Sequence, residues 1–449
     1  MRSKVCCGIL AALCLIVTGC GSQSPVTSAL PNPPAETVLA RGPARYIKHI
    51  VIAVQENRSF DNVFDGFPGA DTSSSGIMSN GRKRALTPIP FEVHDMDHGF
   101  SAGVMDWDNG KMDKFDLNQT SGGQTIGRFA YSYLERSAVE PYWTIAKRYV
   151  LADHMFPTMF GPSFTGHLTL IAGTADLNPT ESEADVPTNS PWGCDAPSST
   201  TTSTVNTNRV VAGNGPMPCF TQFRTMADTL DAAGVSWRYY APAIGSNDSG
   251  NLWSAFDAIS NVRHGADWSR VVSPPQQILK DAAHGKLANV SWVVPDFDWS
   301  DHPYSGTPYG PSWIASIVNA VGKSPQWRST AIIVVWDDWG GFYDNVPPPQ
   351  KDFRGLGIRV GCLIVSPYVR PHVSHTVYEF GSILKFVEQT FGLPPLGPRG
   401  AGYTDQRAHS IANSFDFSQR PRAFKKIPTP YPASFFLTRK PSLRAPDDE

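Results

Sequence analysis

Apolar residues in this chain fall into short, unbroken runs separated by stretches with helical spacing. The runs "HIVIAV" from His49, "VSWRYY" from Val235, "NVSWVVP" from Asn289, "TAIIVVW" from Thr330 and "RVGCLIVSP" from Arg359 are rich in β-branched and aromatic residues, and all but "VSWRYY" are apolar nearly throughout. That pattern reads as strands buried on both faces. Between them lie helix-like "PYWTIAKRYVLADHM", "TMADTLDAAG", "SPPQQILKDAAHGK", "PSWIASIVNAVG" and "SILKFVEQTFG". Repeated strand-helix alternation predicts an α/β fold with a mainly parallel central sheet and helices on both faces. Ser273 before Pro274 and Pro275 is the expected N-cap of its helix, and Gly322 and Gly392 stand where helix C-terminal glycines would.

The two ends of the chain lack this pattern. Arg2 and Lys4, the apolar run from Val5 to Val17 and the small residues before Cys20 ("VTGC") form an export signal of the lipoprotein type. Cleavage before Cys20 would leave a lipidated cysteine anchoring the protein to a bacterial membrane, on the periplasmic or outer side. An ordinary secretory signal is the alternative, and it exports the chain as well. Residues 20–45 read as a flexible Pro/Ser/Ala-rich tether, 46–419 as the folded domain and 420–449 as a Pro-rich basic tail. No run approaches the ~20 apolar residues of a membrane-spanning helix.

Composition narrows the function. With 449 residues, 41% hydrophobic, the chain can bury a large core; a net charge of −2 and a pI near 6.6 offer no field for nucleic acid. Gly (38) and Pro (39) are abundant while charged residues make up only 17%, so much of the chain sits in ordered loops, as in many enzymes. Cys194 and Cys219 flank a Ser/Thr/Asn-rich stretch, and in an oxidising compartment a disulfide there is the economical reading; Cys362 reads as a buried core thiol.

Two strands end in acids. "HIVIAVQ" runs into Glu56 and Asn57, with Arg58 and Asp61 beyond, and "TAIIVVW" runs into Asp337 and Asp338, followed by Gly340 and Gly341. In a parallel sheet both ends open on the same edge, where α/β folds bind ligands. Neighbouring carboxylates need a cation or protons to coexist, and oxygen donors of this kind suit hard divalent ions. A helix cap or a structural ion pair is the plain alternative. Ser163, in a turn after Gly161 and Pro162, offers a hydroxyl with no serine-hydrolase triad around it. His94, His98 and His302 are flanked by acids, and His375 reads as a helix-start residue.

Taken in order, "ENRSFD", "HDMDHGF", "GPS", "SDHP" and "DDWGGFYDNVPPP" resemble the bacterial phosphoesterase family that contains the non-specific phospholipases C and related acid phosphatases, and "WGCDAP", "SWRYYAP" and "RVGCLIVSPYV" extend the likeness over most of residues 46–418. The resemblance implies an alkaline-phosphatase-like sandwich and hydrolysis of phosphoric esters through a serine phospho-enzyme. By motif, Glu56, Asn57, Asp337 and Asp338 would be metal ligands, Ser163 both nucleophile and metal-contacting oxygen, and His98 and His302 contacts to phosphate or the leaving group. The ion implied is divalent: calcium, magnesium, manganese, zinc or iron. Trp339 stands where phospholipases C of this family commonly carry histidine, and the acid pair looks closer to the acid phosphatase branch; no sequence like the extra C-terminal β-domains of the longer phospholipases follows residue 419, which weakens the expectation of lipid as the main substrate. The expected substrate is therefore a small phosphomonoester, with phospholipid diesters as the alternative. "GPSFTGH" lacks the Cys/Ser-x-Pro-x-Arg signature of sulfatases, and a non-catalytic metal-binding lipoprotein is the rival of a different class.

Overall fold

The computed structural model describes residues 42–120, 122–245, 254–442 and 444. The export signal, Cys20 and nearly all of the tether lie outside the described residues.

Nine strands of the described residues form one sheet: β1 (His49–Gln55), β2 (Val150–Phe156), β3 (Trp237–Tyr240), β4 (Val271–Val272), β5 (Val290–Val293), β6 (Thr330–Trp336), β7 (Val360–Val365), β8 (His372–Ser374) and β9 (Tyr378–Glu379). Their order is β4-β3-β5-β1-β6-β7-β2-β8, with β9 also on β2. All neighbours pair in parallel except β7, which is antiparallel to both β6 and β2. Between β6 and β7 no crossover helix intervenes, so the chain turns back beside the strand it has left. The mainly parallel α/β sheet expected from the pattern is present, and β6 and β7 are buried along their whole length.

The principal helices are α1 (Phe60–Phe64), α2 (Phe100–Trp107), α3 (Glu140–Arg148), α4 (Ser163–Ala172), α5 (Met226–Ala232), α6 (Gln277–Ala283), α7 (Gly310–Lys323), α8 (Phe380–Phe391) and α9 (Ala433–Leu437). In α7, buried Trp313, Ile314, Ile317, Val318 and Val321 recur at helical spacing and form its core face. It packs with α3, α6 and α9, while α4 packs with α5 and α8, so helices cover the strands on both faces.

Four local expectations fail. The helix read through Met155 stops at Arg148, and Val150–Phe156 is strand β2, because its residues are almost continuously buried and lack a polar helical face. Ser273 does not cap α6, whose N-cap is Gln276; its hydroxyl donates to the carbonyl of Ala241 at 2.8 Å. Gly322 lies inside α7 rather than past its end, and the Phe424 ring sits where a Cβ would be, 2.3 Å from its ideal position. His375 starts no helix: α8 begins at Phe380, and His375 faces Asp153. Gly392 does end α8, with φ +67°.

Cys194 and Cys219 are disulfide-bonded, and Cys362 is a buried free thiol. The C-terminal segment is anchored on α7: Ile427 and Asn319 exchange two hydrogen bonds of 2.8 and 2.9 Å, and buried Phe436 packs against Trp299 and Trp313. No helix among the described residues is long and apolar enough to cross a membrane.

Candidate active site

The pairing of β1 with β6 sets the site. Gln55 lies opposite Trp336, so Glu56 and Asp337 leave the sheet side by side, and the Asp337 N–H continues the ladder to the Gln55 carbonyl at 3.0 Å. At Asn57 the backbone turns left-handed (φ +52°) and its N–H donates to Asp337 Oδ1 at 3.1 Å. The other segment approaches just as closely. A Cβ at Gly340 would lie 2.2 Å from the Asn57 carbonyl oxygen, and Gly340 and Gly341 both have positive φ (+59° and +73°). Glycine at these positions lets the two backbone segments come this close.

Ser163 is the first residue of α4, after Pro162. Its Oγ is 3.3 Å from Glu56 Oε2, 3.3 Å from Asp338 Oδ2 and 3.3 Å from Asn57 Nδ2. One helical turn on, His167 projects to the same side, its Nε2 at 2.9 Å from Glu56 Oε1 and 3.6 Å from Asp337 Oδ2. The sequence reading passed over this histidine. The available signal was its place four residues after the serine on one helix, inside a motif already singled out.

All these groups are buried: Glu56, Asn57, Asp337 and Asp338 at 0% exposure and Ser163 and His167 at 2%. Burial first, then the charges of Asp337 and Asp338, pushes the Glu56 carboxyl well above its ordinary range. Burial also lowers His167 to about 4, against the pull of Asp337. Asn57 Oδ1 and Asp337 Oδ2 are buried without a hydrogen-bond partner. Crowded carboxylates beside orphaned oxygens fit a cation-binding site, and Glu56, His167 and Asp337 each offer a ligand atom within 4.8 Å of the others.

His98 joins this centre. Its Nδ1 bonds the Met96 carbonyl at 2.6 Å, which fixes the proton there and leaves Nε2 to accept from Asn57 Nδ2 at 2.7 Å; Asp338 Oδ2 is 3.8 Å away. His302 stands next to it, ring centroids 6.5 Å apart. Its Nδ1 accepts the Tyr304 N–H at 3.3 Å, so the ring proton sits on Nε2, which is 3.7 Å from Asp95 Oδ2. Trp339 is fully buried, edge-on to His98 at 6.2 Å, and its indole N–H donates to Asp106 at 3.4 Å.

Three other residues singled out from sequence lie elsewhere. Arg58 turns away and donates to the carbonyls of Asp301 and Phe91. Asp61 pairs with Arg359. His94 lines a separate surface cavity with Glu92, Tyr304 and Arg444.

Comparison with known proteins identifies the family. Residues 47–394 match the model of the Phosphoesterase family. Phospholipase C A of Mycobacterium tuberculosis is 25% identical over 84% of this chain and 78% of its own length. The hemolytic phospholipase C of Pseudomonas aeruginosa is 25% identical over 80% of this chain and 54% of its own, and non-specific phospholipase C1 of Arabidopsis thaliana 26% over 77% and 67%. Solved structures match only distantly. A Vibrio parahaemolyticus protein of the alkaline phosphatase superfamily gives a TM-score of 0.39 at 11% identity over 81% of this chain and 72% of that one, so the fold description rests on the strand topology above. With 47–394 matched, the chain belongs to the phosphoesterase family, and it is a phosphoric ester hydrolase.

Proposed function

We propose that Ser163 is the nucleophile of a phosphoric ester hydrolase whose ion is held by Glu56, Asn57, Ser163, Asp337, Asp338 and His167. The observation that carries this reading is the Ser163 hydroxyl, buried 3.3 Å from two carboxylates of the two strand ends. A divalent cation on this donor set would supply charge neutralisation and a lowered hydroxyl pKa. Ser163 Oγ bonds to phosphorus as the ester P–O bond breaks, and its proton passes to the adjoining carboxylate Asp338. His302, whose Nε2 carries the ring proton, donates a hydrogen bond to the departing oxygen, which takes its proton from water. His98, with its proton fixed on Nδ1, instead orients the Asn57 amide. Water then cleaves the phosphoserine and returns the enzyme.

His167 adds a nitrogen donor to a set that sequence reading made all oxygen, and so favours zinc, iron or manganese among the five ions. For substrate, the named phospholipases C among the relatives support a phospholipid diester. Trp339 in place of the expected histidine supports the second reading, a phosphomonoester. Residues 46–419 would form the catalytic domain, displayed outside the cytoplasm on a lipid-modified Cys20.

The test is hydrolysis of p-nitrophenyl phosphorylcholine and p-nitrophenyl phosphate by the wild type and Ser163→Ala, with and without chelator. Turnover of the diester, lost on mutation and on chelation, is expected. Monoester turnover alone would select the second reading, and Ser163→Ala at wild-type rate would remove the serine from the chemistry.

A further inference from the structure

Asp153, His154 and His375 meet away from the candidate active site. Asp153 and His154 lie in β2, two strands from β6, a lateral separation of about 10 Å. The backbone brings His375 to them: β8 pairs in parallel with β2, Ser374 opposite Ala152, so the next residue falls beside Asp153. The chain then leaves the sheet until β9 pairs with β2 again at Met155.

Three features distinguish this cluster from an ordinary surface pair. The Asp153 side chain is fully buried, that of His154 is 18% exposed and that of His375 61%, so one face opens to solvent. Asp153 Oδ1 lies 2.8 Å from His154 Nδ1, and Oδ2 lies 2.9 Å from His375 Nδ1. One donor atom from each of the three residues lies within 4.8 Å of the others, so small side-chain shifts that exchange these hydrogen bonds for metal bonds would bring all three onto one ion. The supports are also in place. Asp71 Oδ2 stands 3.6 Å from His154 Nε2, the outer carboxylate that metal-bound histidines commonly have. The Asp71 N–H donates to Asp153 Oδ2 at 2.8 Å, and buried Arg359 donates to the carbonyls of Asp71 and Asp153, both at 2.8 Å.

We infer that Asp153, His154 and His375 form a second metal site, for a transition ion such as Zn2+, with Asp71 as the group that orients His154. Two imidazoles and one carboxylate select borderline ions over calcium and magnesium. Occupied, the site pins the sheet's edge strand and the 375–377 excursion to β2. It takes no part in ester hydrolysis.

The test is calorimetric titration of chelator-stripped full chain with Zn2+. The exposed position of His375 makes His375→Ala a substitution the fold tolerates. Wild type is expected to bind one more Zn2+ per chain than His375→Ala, and Zn2+ to raise the melting temperature of the wild type by several degrees more than that of the variant. Asp71→Asn, which keeps all three ligands, is expected to weaken this one event about 10- to 100-fold. Ester hydrolysis should be unchanged in both variants. Zn2+ uptake at the candidate active site is common to all three proteins, so the difference between them reads the second site alone. Equal stoichiometry and equal affinity in wild type and His375→Ala would overturn the inference.

Discussion

The same two segments build two buried acid clusters, and the clusters are neutralised differently. Residues 56–61 and 337–344 supply Glu56, Asp337 and Asp338 to one, and Asp61 and Asp344 to the other. In the second, Arg359 lies 2.9 Å from Asp344 Oδ1 and 3.4 Å from Asp61 Oδ1, all three side chains fully buried. Backbone N–H groups of Asp61 and Asn345 bond the remaining oxygens, Asp344 Oδ2 and Asp61 Oδ2, that of Val346 also bonds Asp344 Oδ1, and Phe60 stacks on the guanidinium at 4.3 Å. A fixed guanidinium makes that cluster a joint between the segments. In the first, the ring facing Glu56 and Asp337 is His167, which burial keeps neutral near pH 7, and Asp337 Oδ2 lacks a hydrogen-bond partner. Its negative charge is left for a cation to balance, and a cation held there could in turn bind a phosphate oxygen.

Activity measurements separate the two most sharply. Ser163→Ala should lower turnover by about 10⁴-fold or more, with a melting temperature close to wild type, because the side chain is small and its loss leaves no charge unpaired. Chelation, or Asp338→Asn, should lower turnover by about 10³-fold. Re-addition of a divalent ion should restore the chelated wild type and leave Asp338→Asn inactive. If Asp338→Asn keeps its full rate, that carboxylate belongs with Asp344 as a joint.

Arg359→Met addresses the other cluster. It leaves Asp61 and Asp344 buried and unneutralised, which should cost about 3–5 kcal/mol of stability, read by chemical denaturation. The folded fraction should keep its turnover per molecule and its response to chelator. A metal-dependent change in the rate of that fraction would join the two clusters into one functional unit.

Legibility from sequence followed how local the cause was. Strand ends at Gln55 and Trp336 could be read because each run is continuous and stops at an acid, and the parallel sheet then places both ends on one edge. The grouping of Glu56, Asn57, Ser163, Asp337 and Asp338 followed from that edge together with the motif resemblance. Residues 149–155 were misread because a strand buried on both faces has no period to set against a helix. Asp61 could not be assigned, since its partner Arg359 is 298 residues away and only the folded chain brings it there. His375 was lost the same way, its partner Asp153 being 222 residues distant across a strand pairing. His167 was within reach of the sequence and was missed for a different reason: helical spacing from Ser163 was not applied inside the motif.

The smallest expected effect has an unusual sign. In chelator, Asp337 Oδ2 is a buried oxygen with no hydrogen-bond partner, and its charge helps drive Glu56 toward its neutral form. Asp337→Asn keeps an oxygen for the N–H groups of Asn57 and Asp338, which bond Oδ1 at 3.1 and 2.9 Å, and puts an amide N–H where the orphaned oxygen was. A repulsive neighbour of Glu56 becomes a donor to it. Stability of the ion-free protein should therefore rise by about 1 kcal/mol while turnover is lost, the trade expected where a site is built for a ligand rather than for the fold. Thermal unfolding in chelator reads it as an upward shift of about 1–3 °C. The same substitution at Asp344, which is held by Arg359, should lower stability instead. If Asp337→Asn also lowers it, the strand-end acids are structural as they stand and the cation is not what they are arranged to receive.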